Sequence, residues 1–201
     1  RLKNPIFKNL NSIMKKNLTQ ILIAFFLLLE PANLLAQPDD YRDKSSIDEA
    51  FKLELDALGF ENGEYPKTKS NYGYQVTDNF IHIPTASALA PDGSIQKGHV
   101  PNIASQNEAI HASSLACAAA INLLKDAANG DLSRIRKVAN IRYRTLTVPE
   151  YFNYVPTSNA CSEMMVRVLG NSAGTHTRHA EGLATSDDNQ TFQIELMAYL
   201  K

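Results

Sequence analysis

The chain reads as an α+β domain with its helices on one face of a sheet, in the order β-β-α-β-α-β-β. Three observations predict this. A long alanine-rich helical pattern runs from Ile103 to Ala128. A strict alternation closes the chain, with Phe192, Ile194, Leu196, Ala198 and Leu200 on one face and Gln193, Glu195, Met197 and Tyr199 on the other. Turn signals at Thr77-Asp78-Asn79 and Pro91-Asp92-Gly93 punctuate two earlier strands. Two helices can cover only one side of such a sheet, so the other side must meet solvent or another subunit.

The elements follow in order. Ile47, Ala50, Phe51, Leu55 and Leu58 have helical spacing, with Ser46 as the expected N-cap and Gly59 as the stop. Tyr72 to Val76 and Phe80 to Pro84 are the first strands. In the long helix the many alanines imply close approach to the sheet, and Asn129-Gly130 ends it. Ile135 to Leu146 is a strand with Ile141 and Tyr143 on one face and Arg142 and Arg144 on the other. Pro149 suits the first turn of a short helix, Pro156 breaks it, and Thr157 or Ser158 caps a second helix ending at Leu169-Gly170. Arg178 to Ala184, a turn at Ser186-Asp187-Asp188-Asn189, and Thr191 to Leu200 form the expected last hairpin.

The N-terminal third reads differently. Met14-Lys15-Lys16 is a basic start, Ile21 to Leu29 is a short apolar run, and small residues lead to Leu35-Ala36-Gln37. This is the layout of a secretory signal peptide, too short to span a bilayer as a helix, so export to the periplasm without a stable membrane anchor is expected. The expected organisation is upstream residues and signal peptide over 1–36, an N-terminal extension with a short helix over 37–70, and the main domain over 71–201. Export permits a disulfide between Cys117 and Cys161, but each lies among small apolar helical residues, where buried reduced thiols are common. Reduced thiols are therefore the expectation.

The formal net charge is -1, with 20 Lys and Arg against 21 Asp and Glu. No global field draws the chain to nucleic acid, and no basic-aromatic stripe is present. Phosphate-binding glycine loops, nucleophile elbows and metal-ligand motifs are missing from the sequence. His176 and His179 fall on opposite faces of a strand, so they do not make a metal pair; no metal and no cofactor is expected. Chemical interest gathers in Gly174-Thr175-His176-Thr177-Arg178-His179-Ala180. An arginine here can clamp a carboxylate through two parallel hydrogen bonds. If the last hairpin turns near Asp187-Asp188, Arg178 lies opposite Met197 and shares the helix-free face with Glu195.

Three stretches, NACSEMMVRVLG, GTHTRHAEGLA and FQIELMAYL, between Asn159 and Leu200 resemble the C-terminal half of the RidA/YjgF family of imine and enamine deaminases, in its branch with a preceding helix. NYGYQVTDNFIHIPTASALAPDGSIQKGHV and GDLSRIRKVANIRYRTLTVPEYFNYVP resemble the family's first hairpins and middle strand, so the likeness covers about residues 47–201. The resemblance implies a chorismate-mutase-like fold with a mixed sheet, a homotrimer, and sites in clefts between subunits. It implies hydrolysis of small 2-imino and enamino acids to 2-oxo acids and ammonia. A non-catalytic binder of small carboxylates in the same cleft is the alternative. By position, Arg178 matches the family's carboxylate-holding arginine and Glu195 its water-positioning glutamate; Tyr72 and Asn159 match residues near the cleft. Two departures stand out: Ala180 where active members commonly carry Cys, and Pro84-Thr85-Ala86 in place of Ser-Gly-Gln.

Overall fold

The computed structural model describes residues 40–66 and 73–201. The segment 14–36, expected to be a signal peptide, and Tyr72 lie outside the described residues. The described residues belong to one compact unit, Asp39–Lys201.

Helix α1 (Lys44–Ala57) begins one turn earlier than expected. Asp43, not Ser46, is its N-cap: the Asp43 carboxylate accepts from the Ser46 amide at 2.8 Å. Ile47, Phe51 and Leu55 form its buried stripe. Strands β1 (Gln75–Thr77) and β2 (Phe80–Ser87) pair antiparallel across a tight turn. Asp78, with φ 54°, takes the left-handed conformation that this turn requires. Helix α2 (Gln106–Ala127) starts in a capping box, in which Ser105 and Glu108 each satisfy the other's backbone amide.

Strand β3 (Ile135–Leu146) follows, then helix α3 (Val155–Gly174), strand β4 (Thr177–Leu183) and strand β5 (Phe192–Leu200). No short helix forms at Pro149. Pro156 does not break a turn; it sits in the first turn of α3, where a missing N–H costs nothing.

The sheet order is β1-β2-β5-β3-β4. Strands β3 and β4 run parallel, joined by α3, and the other neighbours are antiparallel. This corrects the expected last hairpin. The connection after β4 does not fold back beside it; β5 crosses β3 and inserts between β3 and β2. The central position explains why the β5 apolar face is buried along its whole length.

Helices α2 and α3 lie on one face and meet along a seam. Ser113 donates to the Thr157 carbonyl at 2.6 Å, and one turn on Cys117 faces Cys161 with Cα atoms 5.2 Å apart. Both cysteines are fully buried, and they are joined in a disulfide. The expectation of reduced thiols is thereby corrected. Small residues at Ala116 and Ala120 let the two helices approach closely enough for the sulfurs to meet. α1 is tied to α3 by a forked ion pair, Arg167 to Glu54, at 2.5 and 3.1 Å. Among the described residues no helix is long and apolar enough to cross a membrane.

Candidate functional site

Register decides which side chains meet. Arg178 pairs with Ile141, and Ile141 with Leu196, so all three point to the helix-covered face. Glu195 pairs with Arg142, and Arg142 with His179, so those three point the other way. Within one subunit Arg178 and Glu195 therefore stand on opposite faces of the sheet. The expectation that they share the helix-free face fails because it assumed a β4–β5 hairpin.

Arg178 does meet Asn159. Its Nη1 donates to Asn159 Oδ1 at 2.7 Å. Asn159 lies in the first turns of α3, where the crossover helix returns over β4. An open groove of about 460 Å³ lies here, lined by Asn159, Ser162, Glu163, Val166, Arg167 and Arg178. The helical members repeat at three- and four-residue spacing, which places them on one side of α3. Arg142, Arg144 and Arg167 are each paired with carboxylates, but among the described residues Arg178 has no acidic partner within 4 Å. Ala180 shares the face of Arg178, in register with Tyr143.

Behind the groove is a polar cluster that the sequence reading missed. Tyr143 Oη lies 2.8 Å from Ser162 Oγ and 3.0 Å from His176 Nε2, and Ser162 Oγ lies 3.2 Å from the same nitrogen. His176 Nδ1 is 2.7 Å from the Gly174 carbonyl, an acceptor only, so Nδ1 carries the proton and Nε2 accepts. Burial holds His176 below its ordinary pKa of 6.5, and the charges of Arg178 and Lys137 push the same way, against the hydrogen bond to Gly174. Burial raises Tyr143 to about 12. The alternation along β3 showed Tyr143 facing the helices, but nothing in the sequence placed Ser162 and His176 against it.

On the opposite face Glu195 is almost covered and holds three partners. Its carboxylate accepts from Arg144 and, at 3.2 Å, from Arg142, and lies 3.2 Å from His82 Nε2. Glu181 extends the network, 3.3 Å from Arg144 and 3.7 Å from His179. Acidic and basic side chains thus alternate across β4, β3, β5 and β2 on this face.

Pro84 and Thr85 form a bulge between Ile83 and Ala86, since Pro has no N–H for the ladder. A second cavity, of about 490 Å³, opens beside it against Ala119, Asn122 and Leu123. Among the described residues no charged side chain lines that cavity.

No protein-family model and no curated protein matches the chain. Solved structures do. A protein of unknown function from Agrobacterium tumefaciens superposes with a TM-score of 0.68 at 23% identity, covering 79% of this chain and 98% of that one. A candidate endoribonuclease from Shewanella oneidensis MR-1 gives 0.64 at 22% identity, covering 74% and 98%. The YjgF gene product of E. coli stands further off, at 0.47 and 14% identity, covering 68% and 93%. Superposition over nearly the full length of the first two neighbours shows that the chain shares their fold, which agrees with the α+β, RidA/YjgF-like fold that the sequence resemblance implies.

Proposed function

We propose that the groove at Arg178 binds the carboxylate of a small 2-imino acid and that the protein hydrolyses it to the 2-oxo acid and ammonia. The observation that supports this most is Arg178 itself. It is an arginine fixed by Asn159, lining a groove, with no acidic partner among the described residues. A guanidinium so placed presents its remaining N–H groups as a planar fork that fits a carboxylate. Imines already hydrolyse in water, so holding the substrate against a positioned proton acceptor accounts for a modest acceleration.

The same reading includes a homotrimer. The helix-free face carries Glu195 in a network of opposite charges, and the edge strand β4 is exposed over most of its length. A neighbouring subunit covers both in the proposed assembly. Glu195, on the face away from its own subunit's groove, acts there at the interface. The reading also includes export, from the basic start at Met14 and the apolar run after it.

The test is ammonia release from 2-aminoacrylate or its imine tautomer generated in situ. Release above the spontaneous rate, lost in Arg178→Ala, supports the deaminase. Binding of 2-oxo acids without turnover favours the alternative, a binder of small carboxylates that uses the same groove. The endoribonuclease name of one structural neighbour finds no support in the balanced charge of this chain.

A further inference from the structure

We propose that Ser162, Tyr143 and His176 form a proton relay at the floor of the Arg178 groove, with Ser162 as the group that touches the substrate and its attacking water. This rests on the carboxylate reading of Arg178 and adds the acid–base machinery that Glu195, on the other face, does not provide within the subunit.

The placement follows from two spacings. Asn159 and Ser162 are three apart on α3 and so lie on one side of it. His176, just before β4, and Arg178, within it, are two apart, and both side chains reach α3. The helix side and the strand side face each other across the groove: Asn159 holds Arg178 at 2.7 Å, and Ser162 holds His176 at 3.2 Å. A substrate carboxylate on Arg178 therefore puts the neighbouring C=N carbon over the Ser162 end of the floor.

The hydrogen bonds fix the direction of proton flow. His176 Nδ1–H is committed to the Gly174 carbonyl, which leaves Nε2 as the one free basic site of the cluster. Tyr143 and Ser162 bring only two hydroxyl protons to a triangle of three contacts, so the cluster can take up one more proton by closing the third contact. The groups facing His176 are Tyr143 and Lys137 from β3, Ser162 from α3, Arg178 from β4 and the Gly174 carbonyl. Burial, with the two cations adding to it, holds the imidazole below its ordinary pKa, neutral and ready to accept.

The steps balance. Water oxygen bonds to the carbon of the protonated imine, and the π pair moves to nitrogen. The water gives a proton to Ser162 Oγ as the Ser162 proton passes to His176 Nε2, directly or through Tyr143. The imidazolium then returns a proton by the same path to the amine of the carbinolamine. The C–N bond breaks with its pair on nitrogen, and the hydroxyl proton leaves with ammonia as ammonium. The relay ends as it began, and the net reaction is iminium acid plus water to 2-oxo acid plus ammonium. The substrate carboxylate offsets the transient imidazolium beside Arg178.

The experiment follows ammonia release from 2-iminopropanoate, generated in situ by an amino-acid oxidase, between pH 5 and 8. The proteins compared are the wild type, Ser162→Ala, Ser162→Thr and His176→Asn; thermal melts check folding. The relay predicts that Ser162→Ala lowers kcat by at least about tenfold with little change in KM. Ser162→Thr, which keeps a hydroxyl, recovers part of the loss. Wild-type kcat falls on the acid side as His176 protonates, and His176→Asn, whose amide can keep the donation to Gly174, loses that acid limb. Wild-type kcat in a folded Ser162→Ala overturns the relay and leaves the deaminase standing. No ammonia release above background by the wild type overturns both.

Discussion

Arg178 and Glu195 were joined by sequence position and are parted by topology. Both belong to the alternating faces that their strands dictate, but β3 lies between β4 and β5, and register sends them to opposite sides. Each residue then takes a different chemical character. Glu195 is held by Arg142, Arg144 and His82, while among the described residues Arg178 is held by the neutral oxygen of Asn159 and by no carboxylate. Glu195→Gln should therefore leave 2-oxo acid binding within the same subunit's groove nearly intact and weaken whatever the helix-free face packs against; calorimetry and sedimentation read the two effects separately. His176 carries a stability signature as well. Its folded pKa lies below the unfolded value of 6.5, so the unfolded chain binds the extra proton and stability falls as pH drops through that value. Urea titrations of wild type between pH 7 and 5 should show that fall, and His176→Asn should show a shallower one. An equal slope in both proteins contradicts a neutral, buried His176.

At the scale of elements, the seam between α2 and α3 decides whether the groove keeps its shape. Asn159 and Ser162 flank Cys161, so the disulfide to Cys117 fixes the stretch of α3 that carries both. Closing a loop over a separation of 44 residues is worth about 2–4 kcal/mol. Cys117→Ala with Cys161→Ala should lose that much in denaturant unfolding, and the wild type should match it only under reducing conditions. Phe51→Ala should cost about 3–5 kcal/mol by leaving a cavity under α1, where Phe51 is buried against the core. Most elements were legible: the strict alternation of Phe192 to Leu200, the alanine-rich α2 and the apolar stripe of α1 all carry their own period. Pairing was not. Periodicity says which face a residue takes, and nothing in it says that β5 would cross β3 to the centre of the sheet. The disulfide was hidden for a related reason, since two cysteines on separate helices meet only once the helices are packed. In the site, Asn159 and Arg178 were each legible by resemblance, though their contact was not, whereas Tyr143, Ser162 and His176 come from a strand, a helix and the connector after it and meet only in the fold.

For the whole molecule, a five-stranded sheet with helices on one face leaves charged and aromatic groups on the other: Glu195, Arg142 and Arg144 beside Phe80 and Tyr199. A proposed homotrimer covers this face, and sedimentation equilibrium at micromolar concentration should return three times the mass of one chain; a clean monomer contradicts it. Export is tested by sequencing the N-terminus of the mature protein, which should begin near Gln37 and not at Met14. The central claim is that Arg178 clamps a carboxylate, and calorimetric titration of a small 2-oxo acid into wild type and Arg178→Ala tests it most directly. Loss of a charge-assisted pair should weaken binding by at least about tenfold, equivalent to about 1.4 kcal/mol, and Arg178→Lys should restore only part of it because a point charge lacks the planar fork. Equal affinity in wild type and Arg178→Ala would contradict the clamp.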